Sequence, residues 1–262
     1  MTEYRPIADL RSARIMISND DGIGAGGIKI LEKIARDLCD DVWVVAPSQE
    51  QSAASHSLTI RRPLRIRQHS ERRYSVDGTP TDSVLLGVRH ILTDKKPDLI
   101  LSGINRGGNL GDDVTYSGTV AAAMEGALLG IRSIAFSQQM NGGQNKGWAV
   151  AEQWTAGIIR RLVTLGWPDD RLMNVNFPDI LPEEVTGVEV TSQGRRKIGE
   201  EITERIDPRG EAYIWIGSDR REDTGLAGTD LNAVTQNRIS ITPLCADLTD
   251  RVLVDSLRDA FR

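Results

Sequence analysis

The chain has only two cysteines, Cys39 and Cys245, among its 262 residues. They match no metal or redox spacing, which argues against a thiolate metal site or a dithiol motif. Cys39 falls at the end of an apolar-periodic stretch and reads as a buried free thiol. A reducing, cytoplasmic setting is the expectation. No uninterrupted apolar stretch approaches the ~20 residues needed to cross a bilayer. The opening MTEYRPIADLRSA mixes both charges and lacks an apolar h-region, so no secretory signal and no membrane partner are expected. There is no basic excess either. Lys and Arg number 32 against 37 Asp and Glu, a formal charge of −5, which argues against binding nucleic-acid duplexes. Small anionic ligands stay open, because local geometry holds those.

Hydrophobic residues at 39% and charged residues at 26% allow a sizeable core. The length suits one large α/β domain, alone or with an appendage. Arg14–Ser18 is a short apolar run reading as a buried strand, and Ile28, Leu31, Ala35 and Leu38 then recur at helical spacing. Asp41–Ala46 is a second buried strand, so the order is a βαβ unit and predicts a parallel sheet. Leu58–Arg67 alternates apolar and basic residues and predicts an exposed strand, with Tyr74–Asp77 pairing back. Thr79, Pro80 and Asp82 open a helix. Strands are predicted at 98–102, 133–137 and 173–177, and helices at about 117–129 and 149–165.

Beyond about residue 187 the texture becomes β-ribbon with exposed alternation, in Val188–Thr191, Ile202–Ile206 and Tyr213–Ile216. Arg238–Thr242 reads as a strand rejoining the sheet, and Val252–Phe261 as an amphipathic closing helix. The predicted fold is α/β: a Rossmann-like, doubly wound, mainly parallel sheet with a protruding C-terminal β-arm and closing helix. The predicted organisation is a tail over 1–13, a catalytic core over 14–187, and an arm and helix over 188–262 for oligomerisation.

Gly22, Gly24 and Gly27 fit the G-x-G-x-x-G dinucleotide fingerprint. Asp20 and Asp21 precede them, however, and would repel a pyrophosphate unless a cation intervened. The second strand also ends in Ala46-Pro47-Ser48, without the acidic residue that takes a ribose hydroxyl. Gly103–Gly108 lacks the Gly-Lys-Ser/Thr of an ATPase phosphate loop.

Open parallel sheets bind ligands outside the carboxyl ends of their strands. There the chain offers Asn19, Asp20 and Asp21; then Pro47–Ser52; then Asn105, Asn109, Asp112 and Asp113; and Ser117-Gly118-Thr119 at a helix start. Paired carboxylates with amide and hydroxyl oxygens suit Mg²⁺ or Mn²⁺ rather than zinc. A helix N-terminus is an anion site. Such parts can hydrolyse a phosphate ester with metal assistance. Each group also has a plain structural reading: Asp-Asp-Gly as a turn, Ser117 and Thr119 as helix caps, Asn105 and Asn109 as turn formers. A nucleotide sensor without turnover gains nothing from two carboxylates unless a metal is bound. An aspartyl-phosphate phosphatase needs Asp-x-Asp after the first strand, where Asn19 stands.

Ser18–Ile23, Val45–Ser52, Ser55–Thr59, Asp77–Asp82, Ser102–Asp113 and Tyr116–Gly126 together resemble the motif series of the SurE survival-protein family. The likeness is dense from 14 to about 137 and weaker beyond, in Gln193–Arg196 and Ser240–Pro243. The resemblance implies hydrolysis of nucleoside 5′- and 3′-monophosphates, often with exopolyphosphatase activity, and one divalent ion per subunit. It implies Asp20, Asp21, Ser52 and Asn105 as metal ligands, with Asp20 and Asp21 catalytic, and Asn109, Ser117, Gly118 and Thr119 as phosphate-binding. It further implies an arm exchanged between subunits of a homodimer or homotetramer. The chain departs from the pattern in its longer N-terminal tail and its extra glycine in Gly24-Ala25-Gly26. His56 invites an acid role but reads better as packing or orienting a loop. Arg61, Arg62, Arg65, Arg67, Arg72 and Arg73 form the only basic cluster, a solvated hairpin face first and a steering surface second.

Overall fold

The computed structural model describes residues 6–140, 147–198, 201–217 and 220–261. Strand β1 (Arg14–Ser18) is buried at every position, as a parallel strand covered on both faces must be. Ile15 and Ile17 enter one apolar cluster and Met16 the other, the period-two alternation of a strand. Helix α1 (Gly26–Leu38) buries Ile28, Leu31, Ala35 and Leu38 on one stripe. Strand β2 (Asp41–Pro47) pairs parallel with β1. Strands β3 (Ile66–Ser70) and β4 (Arg73–Val76) follow, β3 antiparallel to β4 and β4 parallel to β2.

The strand expected over 58–67 begins only at Ile66. Upstream, Thr59 N–H donates to Asp82 Oδ1 at 2.9 Å and Arg65 N–H to Asp77 Oδ1 at 2.6 Å, while Pro63 has no N–H to offer a ladder. Side-chain acceptors have replaced the strand partner. Helix α2 (Pro80–Leu86) starts as predicted: Asp82 N–H donates to Thr79 Oγ1 at 3.0 Å and Thr79 N–H to Asp82 Oδ2 at 2.8 Å. Such a cap contributes about 1 kcal/mol.

Strand β5 (Leu99–Arg106) outruns its apolar segment, and its pairing register shifts between Ser102 and Asn105. A 3-10 turn (Gly111–Thr115), helix α3 (Gly118–Leu128), strand β6 (Ser133–Gln138), helix α4 (Ala149–Leu165) and strand β7 (Arg171–Phe177) complete the doubly wound part. Then come β8 (Gly187–Val190), β9 (Arg196–Ile198), β10 (Ile202–Ile206), β11 (Ala212–Ile216), β12 (Arg220–Glu222), helix α5 (Asp230–Thr235), β13 (Arg238–Cys245) and helix α6 (Arg251–Ala260).

The nine-stranded sheet has the order β3-β4-β2-β1-β5-β6-β7-β13-β8 and is parallel from β4 through β7. Helices α1 and α4 cover one face through Leu31, Ile34, Ile158 and Ile159, packed on Ile15, Ile17, Leu99 and Phe136. Helix α2 covers the other face through Val84 against Met16 and Ile100, and α3 through Val120 and Ala123 against Ala135 and Leu172. Each fully buried large aliphatic contributes about 1.5–3 kcal/mol. The sheet crosses the boundary expected near residue 187, because β13 pairs antiparallel with β7 and carries β8 beside it.

The arm itself consists of β9 paired with β12 and β10 paired with β11. On the β10–β11 hairpin, Ile202, Ile206, Ile214 and Ile216 are exposed on one face. Tyr213 and Trp215 are exposed on the other, edge to face with ring centroids 6.4 Å apart. Helix α6 leaves Val252, Leu253 and Leu257 exposed. No helix among the described residues is long and apolar enough to cross a membrane.

Candidate active site

The strand order reverses at β1 and β5. From β1 the chain adds β2 and β4 on one side, then returns to place β5, β6 and β7 on the other. Such a switch point opens a crevice beyond the carboxyl ends of the strands. The loops singled out in the sequence meet there. Gln51 N–H donates to the Asp20 carbonyl at 2.8 Å, and Ile23 N–H to the Pro47 carbonyl at 2.8 Å, tying the β1 and β2 loops together. Ser55 donates its N–H to Tyr116 O at 3.1 Å and its hydroxyl to Thr115 O at 2.7 Å, joining the β2 loop to the approach of α3. The Thr119 hydroxyl donates to Asp20 Oδ1.

Asp20 is buried, and burial pushes its carboxyl above the ordinary range, while the Thr119 hydroxyl and nearby backbone N–H groups pull it down. Burial and then the Asp20 charge push Asp21 up to about 6, against the Arg106 backbone N–H. Glu50 raises both. Two desolvated carboxylates that repel one another are stabilised by a shared cation. The donor set, carboxylate with amide and hydroxyl oxygens, fits a hard dication. No group of three or more His, Cys, Asp or Glu with metal-holding geometry occurs among the described residues. The expected set has only two carboxylates, Asp20 and Asp21; its other two expected members, Ser52 and Asn105, are a hydroxyl and an amide.

Gly118 explains how α3 comes so close. A Cβ built on it would lie 2.7 Å from Asp20 Cβ and 3.0 Å from Asp20 Oδ2. Ser117 caps α3, its hydroxyl accepting from Val120 N–H at 3.0 Å. Thr119 is fully buried, and both its hydroxyl and its backbone N–H face the Asp20 carboxylate, which leaves the Gly118 N–H at the open start of the helix. Ser52 donates to Glu50 Oε1 at 2.6 Å and stands one residue beyond Gln51, which grips Asp20. The Asn105 side chain donates to Gly107 O at 2.8 Å, next to the Arg106 N–H that faces Asp21. The Asn109 side chain donates to Ser137 Oγ at 2.7 Å. Beside the pair of aspartates, then, the structure gathers Gln51, Arg106, Gly118 and Thr119, with Ser52 and Asn105 adjoining in the chain. Asn109 is anchored farther along the sheet, on β6 and β7.

His56 Nε2 meets Glu125 Oε2 at 2.9 Å, which ties the 53–58 loop to α3. Gly27, third in the dinucleotide-like pattern, is a packing device: its Cβ would stand 1.9 Å from the Ile104 carbonyl oxygen on β5. Sequence reading passed over Glu50, Arg106, and the buried pair Asn174 and Asn176 beneath the Asn109 loop. The signal for that pair was available, since an Asn-x-Asn alternation inside an apolar strand puts two costly amides on one face.

The family model described as "Survival protein SurE" matches residues 15–200. The chain is 63% identical to the protein named 5′-nucleotidase SurE of Paramagnetospirillum magneticum, over 98% of this chain and 99% of that one. It is 54% identical to the one of the same name from Rhodospirillum rubrum, over 98% and 100%. Among solved structures, the SurE protein from Aquifex aeolicus superposes with a TM-score of 0.82 at 41% identity, covering 95% of this chain and 100% of that one. Matched by the family model over residues 15–200 and by relatives over 98% of its length, this chain belongs to the SurE family.

Proposed function

We propose that the chain is a divalent-metal-dependent phosphomonoesterase that releases phosphate from nucleoside 5′- and 3′-monophosphates, with polyphosphate as a further substrate. Relatives named 5′-nucleotidase support the reaction class. The observation that carries the chemistry is the Asp20–Asp21 pair set against the N-terminus of α3, two anions where only a cation and a phosphate make sense together. Asp20, Asp21, Ser52 and Asn105 would hold one Mg²⁺ or Mn²⁺, which when bound supplies Lewis-acid polarisation and acidifies a water.

The chain's own groups do the rest. Ser117, Gly118 and Thr119 at the N-terminus of α3, together with the Asn109 amide, bind phosphoryl oxygens and stabilise their growing charge. The Thr119 hydroxyl holds Asp20 in one orientation, and Gly118 lets the helix approach. In this reading residues 14–187 carry catalysis, while the exposed hairpin and α6 within 188–262 join subunits into a homodimer or homotetramer.

Phosphate release from nucleoside monophosphates and polyphosphate, with and without a chelator, tests the proposal. Turnover that survives chelation, or that persists near wild-type level in Asp20→Asn and Asp21→Asn at saturating Mg²⁺ or Mn²⁺, refutes it.

A further inference from the structure

Under α3 the sheet face is apolar, with Ala135 on β6, Leu172 on β7 and Leu244 on β13. One step toward the carboxyl ends the same face becomes polar. Asn174 pairs in register with Ala135, and Asn176 with Ser137, so their side chains share that face. On β13 their register partners are Thr242 and Ser240. Asn174 and Asn176 are 0% and 1% exposed. Burying an amide is costly unless it is hydrogen-bonded, and a core position would normally hold an aliphatic there.

Their partners are specific. Asn176 Oδ1 accepts from Asn109 N–H at 2.8 Å, and Asn176 Nδ2 donates to Asn109 O at 3.1 Å, so one side chain grips both main-chain groups of one residue. Asn174 Nδ2 donates to the same carbonyl at 2.8 Å. Two residues on, Gly111 N–H donates to Asp230 Oδ2 at 2.8 Å, and Asp230 Oδ1 receives Gly194 N–H at 2.8 Å. Between these anchors, Leu110 packs in a small apolar cluster with Leu231 and Val234 of α5. The segment Asn109–Gly111 is therefore clamped at both ends by buried side chains from the second half of the chain.

We infer that Asn176, seconded by Asn174 and Asp230, is a positioning residue that sets the Asn109 backbone so that its side chain reaches a bound phosphate. This rests on the reading of Asn109 as a phosphate contact. It gives the region beyond residue 187 a role in the active site that oligomerisation does not require.

The test is Asn176→Asp, which keeps the shape and the acceptor for Asn109 N–H but sets an oxygen against the Asn109 carbonyl. Binding of inorganic phosphate and of Mn²⁺ is measured by calorimetry in wild type and variant, beside melting temperature and turnover. Phosphate affinity should fall roughly 10–100-fold, the range for partners that orient site ligands, with Mn²⁺ affinity within about twofold of wild type. Asp230→Asn, which opposes a second donor to Gly111 N–H, should do the same and serves if Asn176→Asp fails to fold.

Unchanged phosphate affinity in a folded variant overturns the inference, as does an equal loss of phosphate and metal binding. The outcome is separable from the proposed function. Wild type that binds phosphate but hydrolyses no nucleoside monophosphate sinks the function and leaves the clamp standing. Wild type that hydrolyses while the variants bind phosphate normally does the reverse.

Discussion

The Thr119 hydroxyl donates to the Asp20 carboxylate, joining residues 99 positions apart. Both are buried, so the contact fixes the start of α3 against the end of β1 in a water-poor setting where a hydrogen bond to a charge is strong. It makes the Thr119 hydroxyl an orienter of Asp20.

Thr119→Val keeps the shape and deletes that donor. The metal concentration for half-maximal activity should rise by roughly 10–100-fold, the effect of losing a ligand's orienting partner. Much of the turnover should return at saturating metal. Metal titrations of the initial rate measure this, and a lower melting temperature with an unshifted titration would make Thr119 a helix cap only.

Gly118→Ala puts a methyl group 2.7 Å from Asp20 Cβ, and both atoms sit on backbone that cannot rotate away. Helix α3 must back off. Turnover should drop by roughly 10²-fold, as misplacements of about 1 Å do, while the core strain costs about 1–3 kcal/mol. Rates and thermal melts of one preparation decide it; activity within twofold of wild type means the contact is slack.

Asp21 sets a pH window. Its carboxyl in the folded chain is raised from 3.8 to about 6, first by burial and then by Asp20. The folded state therefore holds more protons than the unfolded one between those values, and the metal-free fold gains stability from this group as pH falls through the window. The penalty for the charged pair is complete above about pH 6, where a bound dication relieves it. The rise in melting temperature produced by Mg²⁺ or Mn²⁺ should be full at about pH 7.5 and shrink toward about pH 4.5. A metal-induced shift of constant size across that range would contradict the assignment.

The hairpin of β10 and β11 exposes Ile202, Ile206, Ile214 and Ile216, more apolar surface than a two-stranded ribbon can hide. Light scattering of the intact chain should therefore report at least twice 28.8 kDa. Ile214→Ser with Trp215→Ser should lower the mass and leave the aspartates in place. A monodisperse 28.8 kDa species at micromolar concentration would end the idea.

Much of this molecule could be read without a structure. Arg14–Ser18 is apolar throughout because both its faces are covered, and Thr79-Pro80-x-Asp82 announces a helix start because its cap is local. Short-range patterns of that kind survive folding unchanged. Asp20-Asp21 was legible as a candidate pair as well; alone it reads equally as a turn, and what singled it out was that several polar loops fall after strand ends of one sheet.

What tertiary structure alone decided were the relations between distant segments. Leu58–Arg65 has the alternation of a strand, yet Asp77 and Asp82 take its donors. Gly27 mimics a nucleotide fingerprint, yet what requires it is the Ile104 carbonyl. Asn176 and Asp230 grip the Asn109–Gly111 backbone from 67 and 119 residues away. A hydrogen bond to a main-chain group leaves no mark on the partner's side chain, so Asn109 and Gly111 carry no sign in the sequence of what holds them.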